Sequence, residues 1–106
     1  PTNYVNGVLQ DIHWSIGAIG YFPTYTIGNL VSVQLLQAAK KEIGDLDNQI
    51  SQSDFADLLA WLRHNIHCHG SKYSPRELLH RITDNSVDPK PYMEYLHNKY
   101  SEIYRI

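Results

Sequence analysis

The chain has 106 residues, 42% of them hydrophobic, with 9 basic against 11 acidic side chains and a net charge of −2. That length bounds it to one domain, and the charge balance excludes the cationic surface that draws nucleic acid or an anionic membrane. One cysteine, Cys68, excludes an internal disulfide and predicts a reducing cytoplasm, and the sequence contains no run of about 18 apolar residues to span a bilayer.

No charged-then-apolar leader is expected from the opening residues. Patterned sequence begins almost at Pro1, so either an initiator methionine has been trimmed or the chain belongs to something longer. Val5, Val8, Leu9 and Ile12 have the spacing of one helical face, which Gly7 weakens by roughly 1 kcal/mol relative to Ala. Gly17, Gly20 and Pro23 break helix and predict an irregular loop or short hairpin over 15–24. A helix is predicted over 26–41, with Val31, Gln34, Leu35 and Ala38 on one face, Lys40 and Lys41 in the last turn and Gly44 as the stop. The polar stretch 45–52 holds a short helix or simply connects. Ser53 then predicts an N-cap, with Asp54 behind it. Phe55, Leu58, Leu59, Leu62 and Ile66 mark the stripe of the next helix, and Gly70 its stop. Ser74-Pro75-Arg76-Glu77 has the form of a capping box with proline at the first helical position; Leu78, Leu79 and Ile82 are the buried side of that helix. Asp88-Pro89 opens the last one, where Met93, Leu96, Tyr100 and Ile103 predict a core-facing stripe. The fold class read from these signals is all-α, about four main helices behind a loop-rich N-terminal segment.

Most of the eight tyrosines crowd into Tyr21–Tyr25 and Tyr92–Tyr104. Just before the first group, Gly7-Val8-Leu9-Gln10-Asp11-Ile12-His13-Trp14 fits the pattern GxxQDxHW at every fixed position. Together with Gly20-Tyr21-Phe22-Pro23-Thr24-Tyr25, Gly28-Asn29-Leu30 and a tail containing Ile66-His67, His69-Gly70, Tyr73, Glu77-Leu78-Leu79 and Lys99-Tyr100, it resembles the thermostable metallocarboxypeptidases, the HExxH-type zinc carboxypeptidases of bacteria and archaea. The resemblance covers nearly the whole chain.

This resemblance implies a mostly helical, two-lobed peptidase with a deep cleft, acting on peptides with a free carboxyl end, and suggests a homodimer. It implies a zinc ion held by the two histidines of HExxH and a downstream glutamate. The present chain contains no HExxH, and so lacks those ligands and the general-base glutamate. In the family they lie upstream of GxxQDxHW. The implied arrangement is therefore a single C-terminal helical segment, residues 1–106, whose partner is the upstream catalytic lobe of the same protein. The zinc belongs to the full-length parent and not to this chain, and the segment alone is expected to be inactive.

Peptide hydrolysis develops negative charge on the carbonyl oxygen, and a positioned donor beside it is typically worth about 3 kcal/mol. His13 is the candidate catalytic donor to the intermediate or the substrate backbone, and Tyr25 the candidate phenol donor. Tyr21, Gln10 and Asp11 are the substrate-side candidates, an ionised Asp11 being suited to fix the tautomer of a nearby imidazole. Against these roles stands simple packing: a His-Trp pair commonly fills a core, and so do tyrosines.

His64, His67 and Cys68, at i, i+3 and i+4, share a helical face. No glutamate follows His64 in the zincin pattern and no second ligand pair stands at zinc-finger spacing, so no metal site is assigned. The histidines read as a helix end answering its dipole, with Cys68 a small buried hydrophobe. Two other functions fit the sequence: a non-catalytic helical binding or interaction module, and a small metal-binding protein built on that histidine group.

Overall fold

Pro23 begins a helix instead of breaking one. Its missing N–H and fixed φ suit a first turn, where the donor has no intrahelical partner in any case, and α1 runs unbroken over Pro23–Ile43. The Thr24 and Tyr25 amides donate to the Tyr21 and Phe22 carbonyls at 3.0 Å, so a tight turn leads straight into the helix. The computed structural model describes residues 2–7 and 10–106. It continues with α2 (Leu46–Ser51), α3 (Ala56–Asn65), a 3-10 turn at His67–His69, α4 (Pro75–Thr83) and α5 (Lys90–Tyr104). The architecture is all-α, with a short α2 added to four longer helices.

α1 is the axis of the structure and touches each of the other four helices. Ala39 of α1, Leu46 of α2 and Trp61 of α3 form the buried centre, with Leu35, Ala38, Ile43, Leu58, Leu62, Ile66 and Ile82 packed around them. The Trp61 indole N–H donates to Glu42 at 2.9 Å, which satisfies its polar edge while the ring fills the core. Leu79 of α4 is buried as well. Between α4 and α5 the link is held by a buried amide. Gln34 donates through Nε2 to the Ser86 carbonyl at 3.0 Å and accepts through Oε1 from the Asp88 amide at 3.1 Å.

Local signals hold at several joints. Gly44 follows α1, and its amide donates to the Lys40 carbonyl. The capping box at Ser74 is complete, Ser74 Oγ accepting from the Glu77 amide and Glu77 from the Ser74 amide. Asp88 Oδ1 accepts from the Lys90 amide at the start of α5.

Other expectations are corrected. Residues 2–7 and 11–22 form turns and irregular chain, not an α-helix, with Val5 and Ile12 exposed; Val8 and Leu9 lie outside the described residues. Ser53 is not the N-cap of α3. It takes φ 59°, and Asp54 instead accepts from the Ala56 amide at 3.1 Å, because the chain reverses before the helix begins. Phe55, just before α3, and Leu59 on it are exposed, while Trp61 of α3 lies in the core. Ile66 packs inward from beyond the end of α3, before the 3-10 turn that Gly70 closes. Cys68 is exposed, its thiol donating to the His64 carbonyl.

The largest correction concerns α5. Met93 is 60% exposed and Ile103 58%, with Tyr100 also exposed and only Leu96 of the predicted stripe partly covered. The radius of gyration is 17.8 Å, against about 13 Å for a self-contained domain of this size. The stripe is amphipathic as read, but among the described residues no second layer covers it.

Candidate functional site

The turn before α1 gathers most of the residues singled out in the sequence. Gly17 and Gly20 take φ 80° and 87°, a left-handed conformation that costs glycine no side-chain clash, and they fold the loop back on itself. The Ala18 amide donates to the His13 carbonyl at 2.8 Å, closing that fold. His13 is thereby laid against the two residues that lead into α1. Its ring stacks on Tyr21 with centroids 4.5 Å apart and planes 27° from parallel, and it meets Phe22 at 5.1 Å and 56°. Tyr25, one turn on, meets Tyr21 edge-on at 5.4 Å and Phe22 at 6.3 Å.

Asp11 supplies the polar side. One carboxylate oxygen accepts from the His13 amide at 3.0 Å and pairs with His13 Nδ1. These hydrogen bonds, the amide's first and the ring's second, hold the Asp11 carboxyl below its ordinary range. An ionised carboxylate only accepts, so Nδ1 carries the hydrogen and Nε2 is the free ring nitrogen. In the neutral ring Nε2 is an acceptor, and with a second proton it becomes a donor. Tyr25 is held above the ordinary phenol range, chiefly by hydrogen bonding with Tyr21, with burial adding to it. Like any phenol it is protonated at neutral pH, and so can donate.

The structure thus brings His13, Asp11, Tyr21 and Tyr25 into one group. Gln10 stands apart: it is exposed, and its backbone amide donates back to the Gly7 carbonyl at 3.1 Å. Trp14 is exposed and does not fill a core. Phe22, which sequence reasoning passed over, belongs to the group. Its position directly after Tyr21, at the start of a helix, was the available signal.

At the other end of the chain His69 meets Tyr73 edge-on at 5.2 Å, and the Arg81 guanidinium lies 4.5 Å from the same ring. Among the described residues no three His, Cys, Asp or Glu side chains come together as a metal site. Among the described residues, neither the histidine group nor the surroundings of His13 gather the three ligands a zinc ion needs.

Comparison with known proteins places this geometry. The profile of the Carboxypeptidase Taq (M32) metallopeptidase family matches residues 1–100. Thermostable carboxypeptidase 1 of Thermus thermophilus is 42% identical over 104 residues, covering 98% of this chain and 20% of that protein. Thermostable carboxypeptidase 1 of Pyrococcus furiosus is 45% identical over 100 residues, covering 94% and 20%. The crystal structure of the M32 carboxypeptidase from Deinococcus radiodurans R1 superposes with a TM-score of 0.88 at 40% identity, over all of this chain and 22% of that one. The chain therefore spans about a fifth of the length of these relatives. With the profile running along nearly its whole length, the chain belongs to the carboxypeptidase Taq (M32) metallopeptidase family.

Proposed function

We propose that this chain is the carboxy-terminal helical segment of a cytoplasmic zinc carboxypeptidase, one that removes residues from the free carboxyl end of peptides. Its contribution is substrate-side: groups that bind the peptide and meet the charge developing on the scissile carbonyl. The metal ligands stand elsewhere in the parent, on the upstream catalytic lobe, and the parent works as a homodimer.

The observation that carries this reading is the His13–Asp11 pair set among Tyr21, Phe22 and Tyr25. A histidine tethered at Nδ1 presents one nitrogen to a substrate, in a fixed orientation. Hydrolysis of a peptide bond places negative charge on the carbonyl oxygen, and a donor already aimed at that position stabilises it without reorganising. His13 Nε2, in the protonated ring, is such a donor. The Tyr25 hydroxyl, protonated at neutral pH as any phenol is, is a second one. The uncovered apolar faces of α5 and of the N-terminal turns support a partner lobe that packs against them.

The test is made on the full-length enzyme with a peptide bearing a free carboxyl end and its amidated counterpart. His13→Gln lowers kcat by about 100-fold on the free peptide, and the amidated peptide is a poor substrate for either enzyme. Unchanged kcat/KM in His13→Gln ends the catalytic reading of His13. Activity removed by a chelator and restored by zinc supports zinc; restoration by another divalent metal alone rejects it. A non-catalytic binding module is the second reading, favoured by the exposed apolar face of α5, which suits a partner surface. It requires that His13→Gln leave turnover intact.

A further inference from the structure

We infer that Phe22 is a positioning residue for His13, forming with Tyr21 an aromatic corner that fixes the direction of the imidazole. The inference rests on the proposed role of His13 and goes beyond it.

Tyr21 and Phe22 are consecutive, and their rings stand 83° apart. Two planes at nearly a right angle make a corner. The imidazole occupies that corner, stacked on Tyr21 and leaning on Phe22. Asp11 holds the ring at Nδ1. A hydrogen bond at one nitrogen alone leaves the ring free to swing about that contact. The Tyr21 face limits its tilt, and Phe22 blocks the swing toward the start of α1. What remains open is the edge carrying Nε2, which has no hydrogen-bond partner among the described residues.

Phe22 has no other evident task. It lies outside the buried core and is 39% exposed. Its ring neighbours are His13, Tyr21 and Tyr25, all members of the candidate site. It carries no polar group, so it neither donates to substrate nor titrates. An apolar ring in that setting acts through the side chain it confines. Misplacing a catalytic group by even 1 Å is known to cost as much as 100-fold in rate, so loss of one wall of the corner is expected to be visible in kcat.

The experiment is a double-mutant cycle on the full-length enzyme, with Phe22→Ala, His13→Gln and the pair. Phe22→Ala is expected to lower kcat about tenfold, with KM changed by less than about twofold, and Phe22→Tyr to recover most of the loss. In the His13→Gln background, Phe22→Ala is expected to change kcat by less than about twofold, because the group it positions is gone. Equal losses in both backgrounds overturn the inference while leaving the role of His13 standing. Wild-type turnover in His13→Gln overturns that role, and the inference with it. Should Phe22→Ala fail to fold, Phe22→Leu runs the same cycle, keeping apolar bulk without a flat ring.

Discussion

Asp11 binds His13 twice with a single oxygen, once at the backbone amide and once at ring Nδ1. The two bonds tie the ring to its own backbone over a span of two residues. Asp11→Asn keeps an acceptor at the site but removes the charge, and is expected to lower kcat by about tenfold, the lower end of the effect of such supporting groups. Asp11→Ala removes the tether as well and costs more. Steady-state kinetics on the full-length enzyme measure both. The pH dependence has a definite sign. The carboxyl is held below 3.8 in the folded chain, so the pairing is complete above the ordinary aspartate range and is lost as pH falls through the lowered value. Carbon-13 titration of Asp11 is expected to give a midpoint below 3.8 that moves only part of the way back in His13→Ala, because the residue 13 amide still donates to the carboxylate.

Tyr21 holds the Tyr25 phenol above its ordinary value. Tyr25→Phe removes a donor while leaving the ring against Tyr21 and Phe22, and kcat is expected to fall by about 100-fold if that donor meets the carbonyl oxygen. Tyr21→Phe keeps the stack on His13 but removes the hydroxyl beside Tyr25. The Tyr25 phenol should then titrate closer to 10.0, which tyrosinate absorbance detects.

Ser74 and Glu77 close the N-terminus of α4 reciprocally. Ser74→Ala is expected to destabilise the fold by about 1 kcal/mol, seen as a lower midpoint in urea. The Ser74 hydroxyl is the main cause holding the Glu77 carboxyl below 4.5, with the Ser74 amide second. The contribution of the box is therefore present above the ordinary glutamate range and lost as pH falls through the lowered value. The difference between wild type and Ser74→Ala narrows in acid.

Leu46 and Leu59 look equivalent by composition and differ in place. Leu46 is fully buried in the α1–α2–α3 centre, while Leu59 is 40% exposed on α3. Leu46→Ala is expected to cost about 2–5 kcal/mol, and Leu59→Ala about 0.5 kcal/mol. Equilibrium unfolding of the two variants ranks them directly.

Met93 and Ile103 leave an apolar face of α5 open to water. The 106-residue chain by itself is expected to self-associate through such surface. Ile103→Lys should shift its sedimentation toward monomer, and the same substitution in the parent should weaken packing of its lobes.

Much of the fold was readable in the sequence because its signals are local. The Ser74-Pro75-Arg76-Glu77 box needs only its own four residues, and the Gly44 stop only the helix before it. The failures all involve partners distant in sequence or outside the chain. The α5 stripe has the period of a buried face, yet periodicity does not say whether the covering layer lies within these 106 residues. Ser53 has the chemistry of a cap, but a left-handed turn passes that duty to Asp54. At the site, GxxQDxHW located His13 and Asp11, and the tyrosines were visible from their crowding. Phe22 was not, because its part depends on the angle between two consecutive rings, which a sequence does not display.

α1 spans 21 residues without a break, about 30 Å of rigid rod. Its first turn carries Tyr25, and Gln34, about three turns on, grips the link between α4 and α5. The rod is therefore a lever with the aromatic corner at one end and the α4–α5 junction on its shaft. A substitution such as Gln34→Leu orphans the Ser86 carbonyl and the Asp88 amide together, on the same shaft that carries Tyr25.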